Sequence, residues 1–99
     1  MGYKVIWTDE AIADLRALVE FISRDNPHAT VKLGESIITK SLILAEHPRF
    51  GKQMRNADRE TLREFSVPPY RLIYEIKDAT ALILIRMVRH GARQEPEVG

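Results

Sequence analysis

The stretch from Tyr70 to Arg93, YRLIYEIKDATALILIRMVRHGAR, leaves this chain the fewest ways to fold. Two runs rich in β-branched and aromatic residues flank a short polar break at Lys77-Asp78-Ala79-Thr80. Val, Ile and Tyr suit a pleated, half-buried surface, so the two runs read as paired strands. In the first, Leu72, Tyr74 and Ile76 share one face, while Arg71, Glu75 and Lys77 share the other with Ile73. The second, Ala81 to His90, is apolar on both faces until Arg86, the pattern of a strand covered on both sides at its start. After Met87 the composition turns to Arg89, His90, Gly91 and Arg93. A buried hairpin that delivers cations at its rim is a candidate working site.

The segments before this hairpin supply what covers it. Tyr3 to Trp7 reads as a short strand, and Thr8 offers a hydroxyl to cap a helix whose first turn carries Asp9 and Glu10. Ala11, Ile12, Leu15, Leu18, Val19 and Ile22 then recur at three- and four-residue spacing, an apolar stripe that predicts a helix to about Arg24. Asp14, Arg16, Glu20 and Arg24 fall mostly on its wet side. Asn26-Pro27 caps and opens a second helix, which should run to near His47, where Pro48 ends it. The turn between the helices is short, so they should pack as an antiparallel hairpin. Arg49 to Arg59, polar and broken by Gly51, reads as a loop. Thr61 to Val67 reads as a strand with Phe65 and Val67 on one face beside Arg63, and Pro68-Pro69 turns the chain into Tyr70. The expected order is β-α-α-β-β-β. This is an α+β domain, in which an antiparallel meander packs against an N-terminal helical hairpin.

Ninety-nine residues make one domain with a single modest core, here residues 1–99 with 94–99 as a flexible tail. The absence of cysteine excludes disulfides, thiolate zinc sites and cysteine nucleophiles, and fits a reducing compartment. No stretch has signal-peptide or membrane-spanning length, so the expectation is a soluble, cytoplasmic protein without a membrane partner. The net charge of +1 hides an asymmetry. Residues 1–48 hold five Lys or Arg against seven Asp or Glu, whereas residues 49–93 hold ten against five. The basic second half favours an anionic partner, nucleic acid or acidic peptide, unless it is simply a solvated sheet face.

Chemistry is narrowed by what the spacing lacks. His28, His47 and His90 show no ligand spacing, no Ser sits on a Gly-flanked turn, and there is no Gly-rich phosphate loop. No metal or cofactor is expected. What remains is cationic: Arg63, Arg71, Arg86, Arg89 and Arg93, with Tyr70, Tyr74 and His90 close by in sequence. Such arginines can clamp a scissile phosphate, and His90, Tyr74 or Glu75 could supply an acid and a base. They could equally hold an acidic protein segment, with Tyr74 in the core and Glu75 paired across the sheet.

Several short motifs, in order along nearly the whole chain, make it resemble the RelE/ParE superfamily of toxins from bacterial toxin–antitoxin modules. They are Trp7-Thr8 leading into a helix with Ala11 and Leu15, His47-Pro48-Arg49-Phe50-Gly51-Lys52, Leu62-Arg63-Glu64-Phe65, Tyr70-Arg71-Leu72-Ile73-Tyr74, and Val88-Arg89-His90-Gly91-Ala92-Arg93. The resemblance implies a toxin neutralised by a co-encoded antitoxin. The antitoxin's flexible segment would wrap the toxin by helix-in-groove and strand-addition contacts, while its other part binds operator DNA. RelE-like members cleave mRNA in the ribosome, whereas ParE-like members poison DNA gyrase. Arg71 and Arg93 match arginines of the RelE-like active site. However, Gly99 stands where that pattern carries a catalytic tyrosine, and Lys52 stands alone before Gln53 where it carries a lysine pair. The ending His90-Gly91-Ala92-Arg93-Gln94 is similar to ParE. The expectation is therefore a gyrase poison without a catalytic centre, using Arg63, Tyr70, Arg71, Arg86, Arg89, His90 and Arg93 for binding its target or antitoxin. The alternatives are a ribonuclease using Arg63, Arg71, His90 and Arg93, or a non-toxic relic that only binds antitoxin.

Overall fold

The computed structural model describes residues 2–54, 62–68 and 70–90. Strand β1 (Lys4–Trp7) leads into helix α1 (Asp9–Ser23), helix α2 (Pro27–Ser41) and a helical turn, α3 (Ile43–Glu46). Then come β2 (Lys52–Gln53), β3 (Leu62–Val67), β4 (Tyr70–Lys77), a 3₁₀ turn at Asp78–Thr80 and β5 (Leu82–His90). The predicted α+β architecture is present. β3, β4 and β5 form the expected antiparallel meander, and the strand order across the sheet is β1-β5-β4-β3-β2.

Three features depart from the sequence reading. β1 joins the sheet parallel to β5, with Lys4 opposite Leu82 and Trp7 opposite Ile85, so one edge of the sheet is not antiparallel. The segment read as a loop after Arg49 contributes the two-residue β2, which pairs Lys52 with Glu64 and Gln53 with Arg63. Two residues are too few to show alternation. The second helix stops at Ser41 instead of continuing to His47. Ser41 is fully buried and its hydroxyl donates to the Ile38 carbonyl at 2.7 Å, a back-bond that disturbs a helix. The chain restarts as α3.

The helix starts are built as predicted. The Thr8 hydroxyl accepts from the Ala11 N–H at 3.2 Å, and it also donates to the Ile85 carbonyl at 2.8 Å, which ties the start of α1 to β5. Asn26 caps α2 by accepting from the Ala29 N–H at 3.1 Å. The helices cover one face of the sheet. Ala11, Ile37 and Leu44 pack with Leu72, Tyr74, Ile76, Ile83 and Ile85, while Leu15, Leu18, Ile22 and Leu33 close the sides. Each aliphatic side chain fully buried here contributes about 1.5–3 kcal/mol.

A β-bulge decides which residues of β5 face the helices. Tyr74 lies opposite Ile85, but Ile73 lies opposite Met87, so Arg86 is an extra residue on β5. Up to Ile85 the odd-numbered side chains point at the helices; past the bulge the even ones do. Val88 therefore packs against the core opposite Leu72, and Met87 turns to the other face opposite Ile73. Beyond the end of β1, the Val88 N–H is taken by the Asp14 carboxylate of α1 at 3.0 Å, so Asp14 guards a strand edge, where the sequence put it on the wet side of its helix.

The β4–β5 turn closes with Ala81 at φ 55°, the left-handed region, where a Cβ is unfavourable. Ala81→Gly should therefore raise stability by about 0.5–1 kcal/mol, read as a higher denaturant midpoint. The turn is also clasped from outside. Asp78 accepts from the Tyr3 hydroxyl at 2.6 Å and from Arg49 at 2.8 Å. These bonds, with the Tyr3 hydroxyl the larger effect, hold the Asp78 carboxyl below the usual carboxylate range.

Candidate functional site

The sheet alternation separates the sequence candidates onto two faces. On the helix-covered side lie Arg63, Phe65 and Val67 of β3, Tyr70, Leu72 and Tyr74 of β4, and Ile85, Val88 and His90 of β5. The opposite face carries Lys4 and Ile6, Lys52, Glu64, Ser66, Arg71, Ile73, Glu75, Lys77, Leu82, Leu84, Met87 and Arg89. No helix among the described residues packs there. Ile73 is nevertheless only 4% exposed and lies outside the main core. This open face has an apolar centre and a cationic surround.

Its charges are partly balanced. Arg71 donates to Glu64 at 2.8 Å, with both side chains largely buried. Glu75, 5% exposed, meets the bulge residue Arg86 at 3.4 Å and Lys77 at 3.5 Å. Arg71 and Arg89 stand directly opposite one another across β4 and β5. Like charges in that relation are destabilising, which is tolerable where an anion is to be held between them. Arg89→Glu should add about 0.2–1 kcal/mol of stability in thermal unfolding and weaken binding to any acidic partner.

The helix-side candidates are used differently. Tyr70 and His90 meet edge-to-face with ring centroids 5.0 Å apart, and burial pushes the Tyr70 hydroxyl above the ordinary tyrosine range. Tyr74 is wholly buried, as the core reading expected, and its hydroxyl braces the loop after α3. It donates to the Pro48 carbonyl at 2.7 Å and accepts from the Gly51 N–H at 2.9 Å. Burial is the main reason that this hydroxyl too is pushed above the ordinary tyrosine range. Arg63 donates to the Gly51 carbonyl at 2.7 Å from the same side. Gly51 has no room for a side chain. A Cβ there would stand 2.5 Å from the Glu64 carbonyl oxygen and 2.9 Å from the Tyr74 ring.

Arg71, Arg86 and Arg89 thus come together on or beside the open face, whereas Arg63, Tyr70 and His90 do not join them. Arg93 lies outside the described residues, as does the predicted tail at 94–99. Phe50 belongs to the His47–Lys52 motif but not to the expected site residues, and the braced loop leaves it 62% exposed beside Phe65, with ring centroids 5.5 Å apart. Its signal was an aromatic residue between Arg49 and Gly51-Lys52 in a polar stretch.

The same fold occurs in solved toxins. The chromosomal ParDE system of P. aeruginosa contains a chain matching with TM-score 0.74 at 20% identity, covering 89% of this chain and 95% of that one. The toxin–antitoxin complex RelBE2 of Mycobacterium tuberculosis matches with TM-score 0.62 at 25% identity, covering 91% and 99%. The isolated RelE toxin of E. coli matches with TM-score 0.62 at 18% identity, covering 94% and 88%. A helical hairpin on a five-stranded sheet is thus a fold this chain shares with solved RelE and ParDE proteins, and two sequence comparisons place it in the RelE/ParE toxin superfamily. Within it, this chain belongs to the ParE toxin family of type II toxin–antitoxin systems, whose model matches residues 5–95. It is also 36% identical over 91 residues to Toxin RelE2 of Caulobacter vibrioides, covering 91% of this chain and 97% of that protein. No helix among the described residues is long and apolar enough to cross a membrane.

Proposed function

We propose that this toxin arrests growth by binding and poisoning DNA gyrase, with no catalytic centre of its own, and that a co-encoded antitoxin holds it in check. One observation carries the reading. Among the described residues, the groups a ribonuclease would need are split between the two faces of the sheet and engaged elsewhere. Arg71 is paired with Glu64, Arg63 and Tyr74 brace the Gly51 loop, and His90 stacks on Tyr70 from the side opposite Arg71. A scissile phosphate needs cations, an acid and a base on one side at hydrogen-bonding distance. Binding needs only a complementary surface, which the open cationic face offers to an acidic partner. An antitoxin partner is supported by the solved relatives, since RelBE2 of M. tuberculosis and RelBE of E. coli are toxin–antitoxin complexes. Operator DNA would be reached only through that antitoxin.

The RelE2 relative favours a second reading, a ribosome-dependent ribonuclease using Arg63, Arg71, His90 and Arg93. Inducible expression without antitoxin separates the two. Gyrase poisoning predicts a DNA-damage response with intact mRNA, and purified gyrase should accumulate cleaved DNA when the toxin is added. Codon-phased mRNA cuts that vanish in a folded Arg71→Ala variant would overturn it.

A further inference from the structure

We propose that the outer face of α2 is a self-association surface, which pairs this chain with a second copy of itself. Three apolar side chains stand open there: Val31 at 62% exposure, Ile38 at 47% and Leu42, the C-cap, at 55%. Successive helical residues are about 100° apart, so these three form one stripe, roughly a quarter turn from buried Ile37 and Ser41. A monomer's surface helix needs one apolar face, toward its core, and α2 has two. Apolar residues scattered singly need no explanation, but an aligned second stripe does. Gly34 borders that stripe between Val31 and Ile38. Glycine is unfavourable in a helix interior, and nothing inside the fold calls for it here. Its φ is not positive, and a Cβ would meet nothing among the described residues within 4 Å, its own helix backbone aside. A glycine so placed lowers the helix surface where a second backbone can come close.

The surface matches itself in charge as well as in shape. With two α2 helices antiparallel about a two-fold axis at Gly34, residues three or four places either side of it lie opposite one another. Val31 then meets Ile38 of the second copy, and Gly34 meets its own counterpart. Lys32 and Glu35, both exposed, flank the stripe on the side away from the core. Across the axis each faces the other's counterpart, so this rim pairs opposite charges twice. A strongly acidic partner gains little here, because α2 balances Lys32 and Lys40 against only one fewer carboxylate, Glu35. The size of the contact sets its strength. A single helix pair of this length covers less than the roughly 800 Å² per partner of a standard interface, so the dimer is weak, with Kd on the order of 10–100 μM. Because α2 lies on the helix-covered side of the sheet, pairing leaves the open cationic face of both copies free.

Sedimentation of the full-length chain between about 1 μM and about 1 mM tests this, and the parent should pass from monomer to dimer across that range. Ile38→Glu should weaken association about thirtyfold. Its unfolding midpoint, measured where the chain is monomeric, should stay close to the parent's because the side chain is half exposed. Gly34→Ala should act with opposite signs. Better helix propensity raises the unfolding midpoint, while the added methyl groups at the crossing weaken association about tenfold. Lys32→Glu should weaken association about threefold, and adding Glu35→Lys should restore it. Lys40→Glu, on the opposite side of α2, should leave association unchanged. A parent that stays monomeric to about 1 mM overturns the proposal, as does association that survives Ile38→Glu or falls equally in Lys40→Glu. A monomeric parent whose affinity for the co-encoded antitoxin drops in Ile38→Glu gives the face to the antitoxin and overturns it too.

Discussion

Tyr74→Phe is expected to lower the unfolding free energy by about 2–4 kcal/mol, although the change removes one oxygen atom. The ring stays in place, filling the core between the helices and β5, so no cavity forms. What is lost is the pivot on which the loop after α3 turns. The hydroxyl gives its proton to Pro48 and receives one from Gly51, at 2.7 and 2.9 Å. Without it, a carbonyl and an N–H beside the core each lose their partner, and leaving a buried polar group unmade costs about 1–3 kcal/mol apiece. Burial pushes the hydroxyl above the ordinary tyrosine range, so it remains a protonated donor at neutral pH and the loss should not vary with pH between about 6 and 8. Urea unfolding at both pH values measures this. A drop well under 1 kcal/mol would mean that water substitutes for the hydroxyl and that the loop is not braced through Tyr74.

The same residue illustrates what a sequence can carry. Tyr74 was assignable to the core because its alternation with Leu72 and Ile76 is a local property, and so were the strands of the meander. The capped helix starts at Thr8 and Asn26 were equally local, since capping needs only a suitable side chain at one position and free N–H groups after it. The parallel pairing of β1 with β5 is not local. It joins residues some eighty apart in the chain, and nothing in Lys4–Trp7 specifies its neighbour. The bulge at Arg86 is also silent, because an extra residue shifts the register without altering composition. That shift, together with ordinary alternation, is why a run of cations adjacent in sequence becomes two groups on opposite faces. Phe50 stayed hidden for a different reason. Its exposure depends on three hydrogen bonds around Gly51 from residues on two later strands, so the sequence marked it only as part of the His47–Lys52 motif and not as an exposed ring.

The register shift makes the second large prediction, because it reverses which of two adjacent residues is structural. Without the bulge, alternation from Ile83 and Ile85 would send Met87 toward the helices and Val88 away from them. With Arg86 extra, Val88 faces the helices and Met87 lies on the open face beside Arg89, whose guanidinium donates to its sulfur at 3.4 Å. Val88→Asp should therefore destabilise the fold by about 2 kcal/mol, since a carboxylate would enter a half-buried apolar site packed against the core. That carboxylate would also face Asp14, which already accepts from the Val88 N–H at 3.0 Å. Part of the loss should return on acidification, as protonation removes both the charge from this half-buried site and the repulsion between the two carboxyls. Met87→Asp should cost about 1 kcal/mol or less, because its carboxylate would stand among the arginines of the open face. Equilibrium unfolding of the two variants decides the register directly. Equal losses, or the larger loss in Met87→Asp, would place the bulge elsewhere. Arg71 and Arg89 would then no longer share a face, and the cationic surface on which the proposed binding rests would dissolve with the register that builds it.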